Sequence, residues 1–196
     1  MAKFDISVNV CMGCSCHGGG VYEYGCGSVE LTDEQVQQLV ALMQKYKTTK
    51  VEKLHLSTLL PDVYNALADA YREVAYRNNA LHWYDEAWEC GEIDVDSLAQ
   101  YCEQFGYCYE PEDSCDEIDD EEVDDDCDDE DDWQRADHLK DWLRYFLEDA
   151  DLSVLHTVYL DYLGFDECVF DLEEDSYSIA IPKQIIAMAN IGKGEK

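Results

Sequence analysis

The residues from Glu110 to Asp132 contain 17 acidic side chains and no basic one, and this tract constrains the fold more than any other feature. Like charges repel one another when a chain compacts, and the tract has almost no apolar side chain to bury. We therefore predict that residues 110–132 lie outside the core, as an exposed loop or a ragged helix. The tract separates residues 1–109 from residues 133–196, and we expect the two flanking parts to form one compact domain.

The rest of the chain is acidic as well. The whole sequence has 46 acidic and 13 basic residues, a net charge of −33, so that 29 acids and 13 bases, a net of −16, lie outside the tract. A small domain needs a net charge of only about 2 to 8 for solubility. The charge excludes non-specific binding to nucleic acid or to an anionic membrane, and it favours cationic partners.

The start of the sequence leads directly into an alternating apolar pattern, so we expect no secretory signal. No apolar run approaches the roughly 18 residues of a membrane span. We therefore expect a cytoplasmic protein whose ten cysteines are reduced thiols or metal ligands rather than a disulfide framework.

The pattern of apolar residues predicts an α+β fold. Strand-like alternation over residues 4–10, three glycines at 18–20 and a returning strand over 21–31 indicate an N-terminal hairpin with a cysteine-rich tip. Gly25 and Gly27 weaken the returning strand and are typical of a bulge. Four to five helices form the middle of the chain, interrupted by the acidic loop. Residues 165–172 and 176–181 indicate a C-terminal hairpin before a last helix, and the two hairpins are candidates for one antiparallel sheet.

Helix boundaries are marked by capping residues. Thr32 with Gln35 three residues later is the pattern of a capping box, and Asp94 is a good N-cap for a second helix. Gly106 stands where a left-handed residue is wanted after that second helix.

The hairpin tip contains the sharpest cluster of chemically active side chains. Cys11, Cys14, Cys16 or His17, and Cys26 can supply the four sulfur or nitrogen ligands of a tetrahedral zinc ion. Four protein ligands would make such a site structural. The alternative is that these cysteines are reduced, partly buried small apolar residues.

Motifs for catalysis are missing from the sequence. We find no Gly-x-Ser-x-Gly turn, no glycine-rich phosphate loop with its lysine, and no cysteine–histidine pair beyond the neighbours Cys16 and His17. The acidic tract lacks the central glycine and final glutamate of an EF-hand loop. We therefore expect a protein that binds other macromolecules and is not an enzyme.

The acidic tract has a charge density close to that of nucleic acid. As a helix it would carry one charge per roughly 2 Å of axis, against about 1.7 Å for duplex DNA, and as an extended chain one per about 4 to 5 Å. A basic cleft built for phosphates would accept either form. The residues we expect to bind such a partner are Asp119, Asp120, Glu121, Glu122, Asp124, Asp125, Asp126, Asp128, Asp129, Glu130, Asp131 and Asp132.

Acids and tyrosines elsewhere could add to this surface. We expect acids on the solvent faces of the helices at Asp62, Asp69, Glu73, Asp85, Glu86 and Glu89. Tyrosines that could serve as partner anchors, or else pack in the core, are Tyr64, Tyr71, Tyr76, Tyr84, Tyr101, Tyr107 and Tyr109.

In charge and size the chain resembles the acidic anti-CRISPR and anti-restriction proteins of phages and mobile elements. That resemblance implies an inhibitor that mimics nucleic acid and occupies the cleft of a nuclease or defence complex. Two alternatives stay open: an acidic adaptor that shields a basic partner, and a zinc-stabilised structural or regulatory module. The sequence also leaves open whether the chain forms a homodimer through its aromatic helices.

Overall fold

The computed structural model of the protein describes residues 1–12, 21–90, 93–109, 128–165, 170, 172 and 177–190. In chain order the elements are β1 (Ala2–Met12), β2 (Val21–Leu31), α1 (Asp33–Tyr46), α2 (Val51–Leu54), α3 (Leu56–Leu59), α4 (Pro61–His82), α5 (Tyr84–Cys90), α6 (Val95–Glu103), α7 (Asp128–Asp149), α8 (Leu152–Thr157) with a π-helical segment (Val158–Tyr162), and α9 (Lys183–Ala189). The fold class is α+β, as the sequence predicts, and it is mostly helical.

The chain divides into two compact units. The first, here called the sheet unit, contains Met1–His82 and Val169–Lys196, and the second, here called the acidic unit, contains Trp83–Cys168. The predicted division of the chain at residues 110 and 132 falls largely on residues outside the described ranges and stays a prediction.

The sheet unit is built on the N-terminal hairpin that the alternation predicts. β1 and β2 pair antiparallel from Ala2↔Leu31 to Met12↔Val21 without a break in register. The side chains that alternate along β1 are buried, and they are Phe4, Ile6, Val8 and Val10. Because each such side chain contributes about 1.5 to 3 kcal/mol when fully buried, this face anchors the unit.

Gly25 and Gly27 do not form the predicted bulge, because the ladder is regular through both positions. Their role is to let α4 approach the sheet closely. A Cβ atom on Gly27 would lie 2.3 Å from Cγ2 of Val74, and one on Gly25 would lie 2.1 Å from Nδ2 of Asn78. A Cβ atom at either position would therefore force the side chains of α4 that it meets to shift.

The last helix completes the core of the sheet unit. α9 follows Pro182, and its Ile185 is fully buried among the side chains of the sheet and of α1. Gln44 Nε2 donates to the Ala189 carbonyl at 3.4 Å, and Gln184 Nε2 donates to an Asp5 carboxylate oxygen at 2.8 Å. These contacts join the two sequence segments of this unit.

The predicted C-terminal hairpin falls mainly on residues 166–169, 171 and 173–176, which lie outside the described residues. The neighbouring residues that the structure describes, 165, 172 and 177–181, are not in strands. Leu172, Tyr177 and Ile179 nevertheless pack against the core of the sheet unit.

The acidic unit is helical in the part of the chain that the structure describes. α6 packs against α7, and its buried residues Leu98, Ala99 and Cys102 face the core of the unit. As predicted, Asp94 caps α6 by accepting a hydrogen bond from the Ser97 amide, and Gly106 follows the helix with φ +95°. None of the helices in the described ranges has an 18-residue stretch apolar enough to cross a bilayer.

Candidate protein-interaction surface

The net charge of the protein is concentrated in one of its two units. The acidic unit carries 32 acidic and 3 basic residues, a net of −29, whereas the sheet unit carries 14 and 10, a net of −4. The acidity outside the tract is therefore unevenly distributed. Of the net −16 outside residues 110–132, −12 belongs to the acidic unit.

All three basic side chains of the acidic unit are half-buried and lie beside carboxylates. Arg135 pairs with Asp96, Lys140 lies 3.8 Å from Asp85, and the guanidinium of Arg144 lies 3.3 Å from Glu148. Because the carboxylate of each pair is exposed, such pairs contribute little to stability, typically 0 to about 1 kcal/mol. The pairs matter more for the surface charge, because each of the three cations of the acidic unit lies beside a carboxylate.

α7 is the helix that joins the acidic tract to the core. Its backbone is helical from Asp128, so the last five residues of the acidic tract are helical. Acidic residues 128–132 thus open the helix, where negative charge is favoured by the helix dipole. Leu139, Leu143 and Leu147 are fully buried and hold the inner face of α7 in the unit.

The opposite face of α7 carries a regular row of exposed side chains. Trp133, Asp137, Asp141 and Tyr145 follow one another at four-residue intervals, and all four are exposed. Each step rises about 6 Å and turns about 40°, so the four residues form one stripe about 18 Å long. Neither aspartate is in a salt bridge within the described residues. We call these four residues the α7 outer face.

A continuous row of aromatic rings lies at the junction of α6, α7 and the residues after α6. The Trp142 and Phe146 rings stack with centroids 4.9 Å apart, and Trp142 also meets Tyr107 edge-on at 5.3 Å. Tyr107 is buried, and burial raises the pKa of its hydroxyl. The row extends through the pairs Tyr107–His138, Tyr109–His138, Phe105–Phe146, Tyr101–Phe105 and Tyr101–Tyr162. It fixes the orientation of α7.

Tyr84 anchors the other side of α7. Its hydroxyl donates a 2.7 Å hydrogen bond to the Lys140 carbonyl, and the Arg144 guanidinium lies over its ring at 5.9 Å. Burial strongly raises the pKa of Tyr84, so the hydroxyl stays protonated as a donor. α7 is therefore contacted by the aromatic row and by Tyr84, while the four residues of its outer face stay exposed.

The residues predicted to bind a partner lie only partly in the described ranges. Asp119 to Asp126 lie outside them, and residues 128–132 are in the helical backbone of α7. The predicted solvent-facing acids Asp62, Asp69, Glu73, Asp85, Glu86 and Glu89 are all exposed. Among the tyrosines considered as anchors, Tyr71, Tyr84 and Tyr107 are buried, and Tyr64, Tyr76, Tyr101 and Tyr109 are half-buried.

The most exposed aromatic side chains of the acidic unit were not singled out from the sequence. Trp133 and Tyr145 are exposed by 73% and 74%. Their four-residue spacing, complementary to the leucine stripe at 139, 143 and 147, is the signal that could have revealed them.

The predicted zinc site lies mainly at the hairpin tip, and Cys14, Cys16 and His17 are outside the described residues. In the register, Cys11 pairs with Tyr22, so Cys26 lies four residues, or about 13 Å, further along the ladder. Two zinc ligands lie only about 4 Å apart, and this register therefore separates Cys11 from Cys26. No group of three potential ligands occurs among the described residues, and a site at the tip stays a prediction.

The sheet unit contains an open groove of about 700 Å³ lined by residues of α2, α4 and the segment before α9. Tyr64, Tyr76 and Tyr177 line it together with the ion pair of Asp69 and Arg72, whose charged atoms are 3.4 Å apart. Both charged side chains are more than half exposed. The charges of this ion pair are therefore largely solvated.

Comparison with known proteins gives no assignment: no family model matches the chain, and no curated protein or solved structure matches it.

Proposed function

We propose that the protein is a non-enzymatic acidic binding protein that mimics nucleic acid and inhibits a nucleic-acid-binding nuclease or defence complex, as anti-CRISPR and anti-restriction proteins do. Its partner is a basic protein or complex, and nucleic acid itself is not bound. The observation that carries this proposal is the concentration of charge: −29 of the net −33 lies in the 86 residues of the acidic unit.

Counterion release supports strong binding of such a unit to a cationic cleft. A cleft that binds nucleic acid is lined with Lys and Arg that neutralise phosphates, and carboxylates at similar density can replace those phosphates. Because the three cations of the acidic unit are already paired, no positive group on this unit opposes the approach. Association would also be steered by the field of the unit and accelerated at low salt.

The first test is a pull-down with the tagged full-length chain from the lysate of its source organism, eluted with salt in steps up to about 1 M. We expect one nucleic-acid-processing complex at a defined salt step, and its loss when DNA or RNA competes. A scatter of unrelated basic proteins would show that the charge serves solubility alone. Assay of the captured complex then separates inhibition from shielding, since a shielded partner works again once it is released.

Neutralisation of the acidic tract provides the second test. We expect the Asp→Asn variant at seven positions to weaken binding and to flatten its dependence on salt, by up to about 0.9 in the slope of log K per lost charge contact. The seven positions are Asp119, Asp120, Asp124, Asp125, Asp126, Asp128 and Asp129.

The matched control for this variant lies in the sheet unit. Glu30, Glu52 and Asp62 are exposed there, and their amide variants remove charge without touching the acidic unit. The change in the slope of log K against log salt, per neutralised charge, should be clearly smaller for this control. Equal changes per charge in both variants would show that total charge, and not the acidic unit, determines binding.

A further inference from the structure

Trp133 and Tyr145 are the two most exposed aromatic side chains among the described residues, at 73% and 74%. An exposed tryptophan contributes nothing to the core, and tryptophan and tyrosine are the residues most enriched at the energetic centres of protein interfaces. Both rings lie on the exposed side of one helix, about 18 Å apart along its axis and about 120° apart around it. That placement indicates that one binding partner covers both rings.

We propose that the α7 outer face docks into a cleft that normally holds a single nucleic-acid strand. Trp133 and Tyr145 take the places of stacked bases, and Asp137 and Asp141 take the places of phosphates. This inference rests on the proposed function and adds to it the docking surface and the class of cleft.

Charge complementarity identifies the occupant as cationic. Asp137 and Asp141 stand between the two rings, outside any salt bridge within the described residues, on a unit with a net charge of −29. A purely apolar partner surface would have to desolvate both carboxylates without compensation, which is costly. A groove lined with Lys and Arg compensates them directly.

The combination of rings and carboxylates favours a single-strand cleft over a duplex groove. Proteins that bind single strands combine a positively charged groove with aromatic platforms on which successive bases stack. Duplex DNA hides the faces of its bases within the stack and offers a protein its phosphates and groove edges. Exposed aromatic rings next to carboxylates therefore match the first kind of cleft.

Packing of α7 in the free protein preorganises part of this face. The leucine stripe, the Tyr84 hydrogen bond to the Lys140 carbonyl and the aromatic row contact the helix over residues 138–147. A preorganised surface loses little conformational freedom on binding, and tryptophan and tyrosine have only two side-chain torsions each to order.

The test measures displacement of a labelled oligonucleotide from two purified probe proteins at about 50 mM salt, where electrostatic binding is strong. One probe is an OB-fold single-strand-binding protein carrying fluorescent oligothymidine, and the other is a duplex-groove-binding protein carrying a fluorescent DNA duplex. We expect the full-length protein to displace the oligothymidine at lower concentration than the duplex.

Substitutions on the α7 outer face then test the docking surface. The double variant Trp133→Ala with Tyr145→Ala should raise the concentration needed for half displacement of oligothymidine at least about tenfold, since one base–aromatic stack is worth about that factor. Phenylalanine at both positions should retain most of the potency. The control is Tyr24→Ala on β2 of the sheet unit, a tyrosine exposed by 66%, which should leave the potency unchanged.

The outcomes separate this inference from the proposed function. Undiminished displacement by the alanine double variant, with an unchanged melting temperature, would overturn the docking surface and leave the function standing. Preferential displacement of the duplex would overturn the single-strand assignment. If the unmodified protein displaces neither oligonucleotide at about 50 mM salt, the single-strand assignment fails, and the pull-down decides the proposed function separately.

Discussion

At the scale of single residues, the close approach of α4 to the sheet depends on the missing side chain of Gly27. Alanine at this position would place its Cβ 2.3 Å from Cγ2 of Val74, a branched side chain that cannot rotate away freely. We expect Gly27→Ala to destabilise the protein by about 1 to 3 kcal/mol, as overpacking does. Urea denaturation measures this loss.

Val74→Ala provides the control for that clash. It removes the methyl groups that the new Cβ would meet, so Gly27→Ala should cost much less in the Val74→Ala background than in the unmodified chain. Equal costs in both backgrounds would show that the loss comes from the strand itself and not from the contact with α4.

Features that depend on neighbouring residues alone could be predicted from the sequence. Thr32 accepts a hydrogen bond from the Gln35 amide, and the Gln35 side chain accepts one from the Thr32 amide, which confirms the predicted capping box. The predicted bulge at the glycines of β2 is wrong, since a strand sequence shows that a side chain is missing but not which neighbour fills the space. Cys102 is buried as a free thiol, and burial raises its pKa to about 12.

At the scale of elements, long amphipathic helices were predictable and short irregular ones were not. The leucine stripe of α7 has a helical period, whereas α2 and α3 are four residues each, separated by His55 with φ 49°. Four residues are too few for a periodic signal. The π-helical segment at Val158–Tyr162 likewise depends on packing, because Val158 and Tyr159 are both buried.

Charge-reversal variants test whether the acidic residues at the start of α7 stabilise that helix. Asp33 and Glu34 open α1 in the weakly charged sheet unit, so Asp33→Lys with Glu34→Lys loses the dipole interaction, at about 0.3 to 1 kcal/mol for each residue. Asp128→Lys with Asp129→Lys loses a similar interaction but also relieves repulsion in a unit of net −29. We expect the α7 variant to lose less stability in low-salt urea denaturation. A larger loss at α7 would mean that these acids serve mainly to hold the helix.

At the scale of the whole molecule, the division into units could not be predicted from local patterns. Residues 169–196 return to the unit formed by residues 1–82, through contacts such as Gln184 with Asp5, which are 179 residues apart in sequence. Because residues 169–196 belong to the sheet unit, the acidic unit contains only the acidic tract and α5 to α8, and the charge is therefore uneven. The composition determines the total charge, but it does not show which unit carries that charge.

This distribution predicts that salt stabilises the two units unequally. The Debye length falls from about 30 Å at 0.01 M to about 10 Å at 0.1 M ionic strength, so added salt screens repulsion between acids that lie far apart. With a net of −29 against −4, nearly all of that relief belongs to the acidic unit. Hydrogen–deuterium exchange should therefore slow in peptides from α6 and α7 as NaCl rises over this range, while peptides from β1 and α1 change little. Equal slowing in both units would indicate a general effect of salt on burial, and no slowing in either would mean that self-repulsion does not limit the stability of the acidic unit.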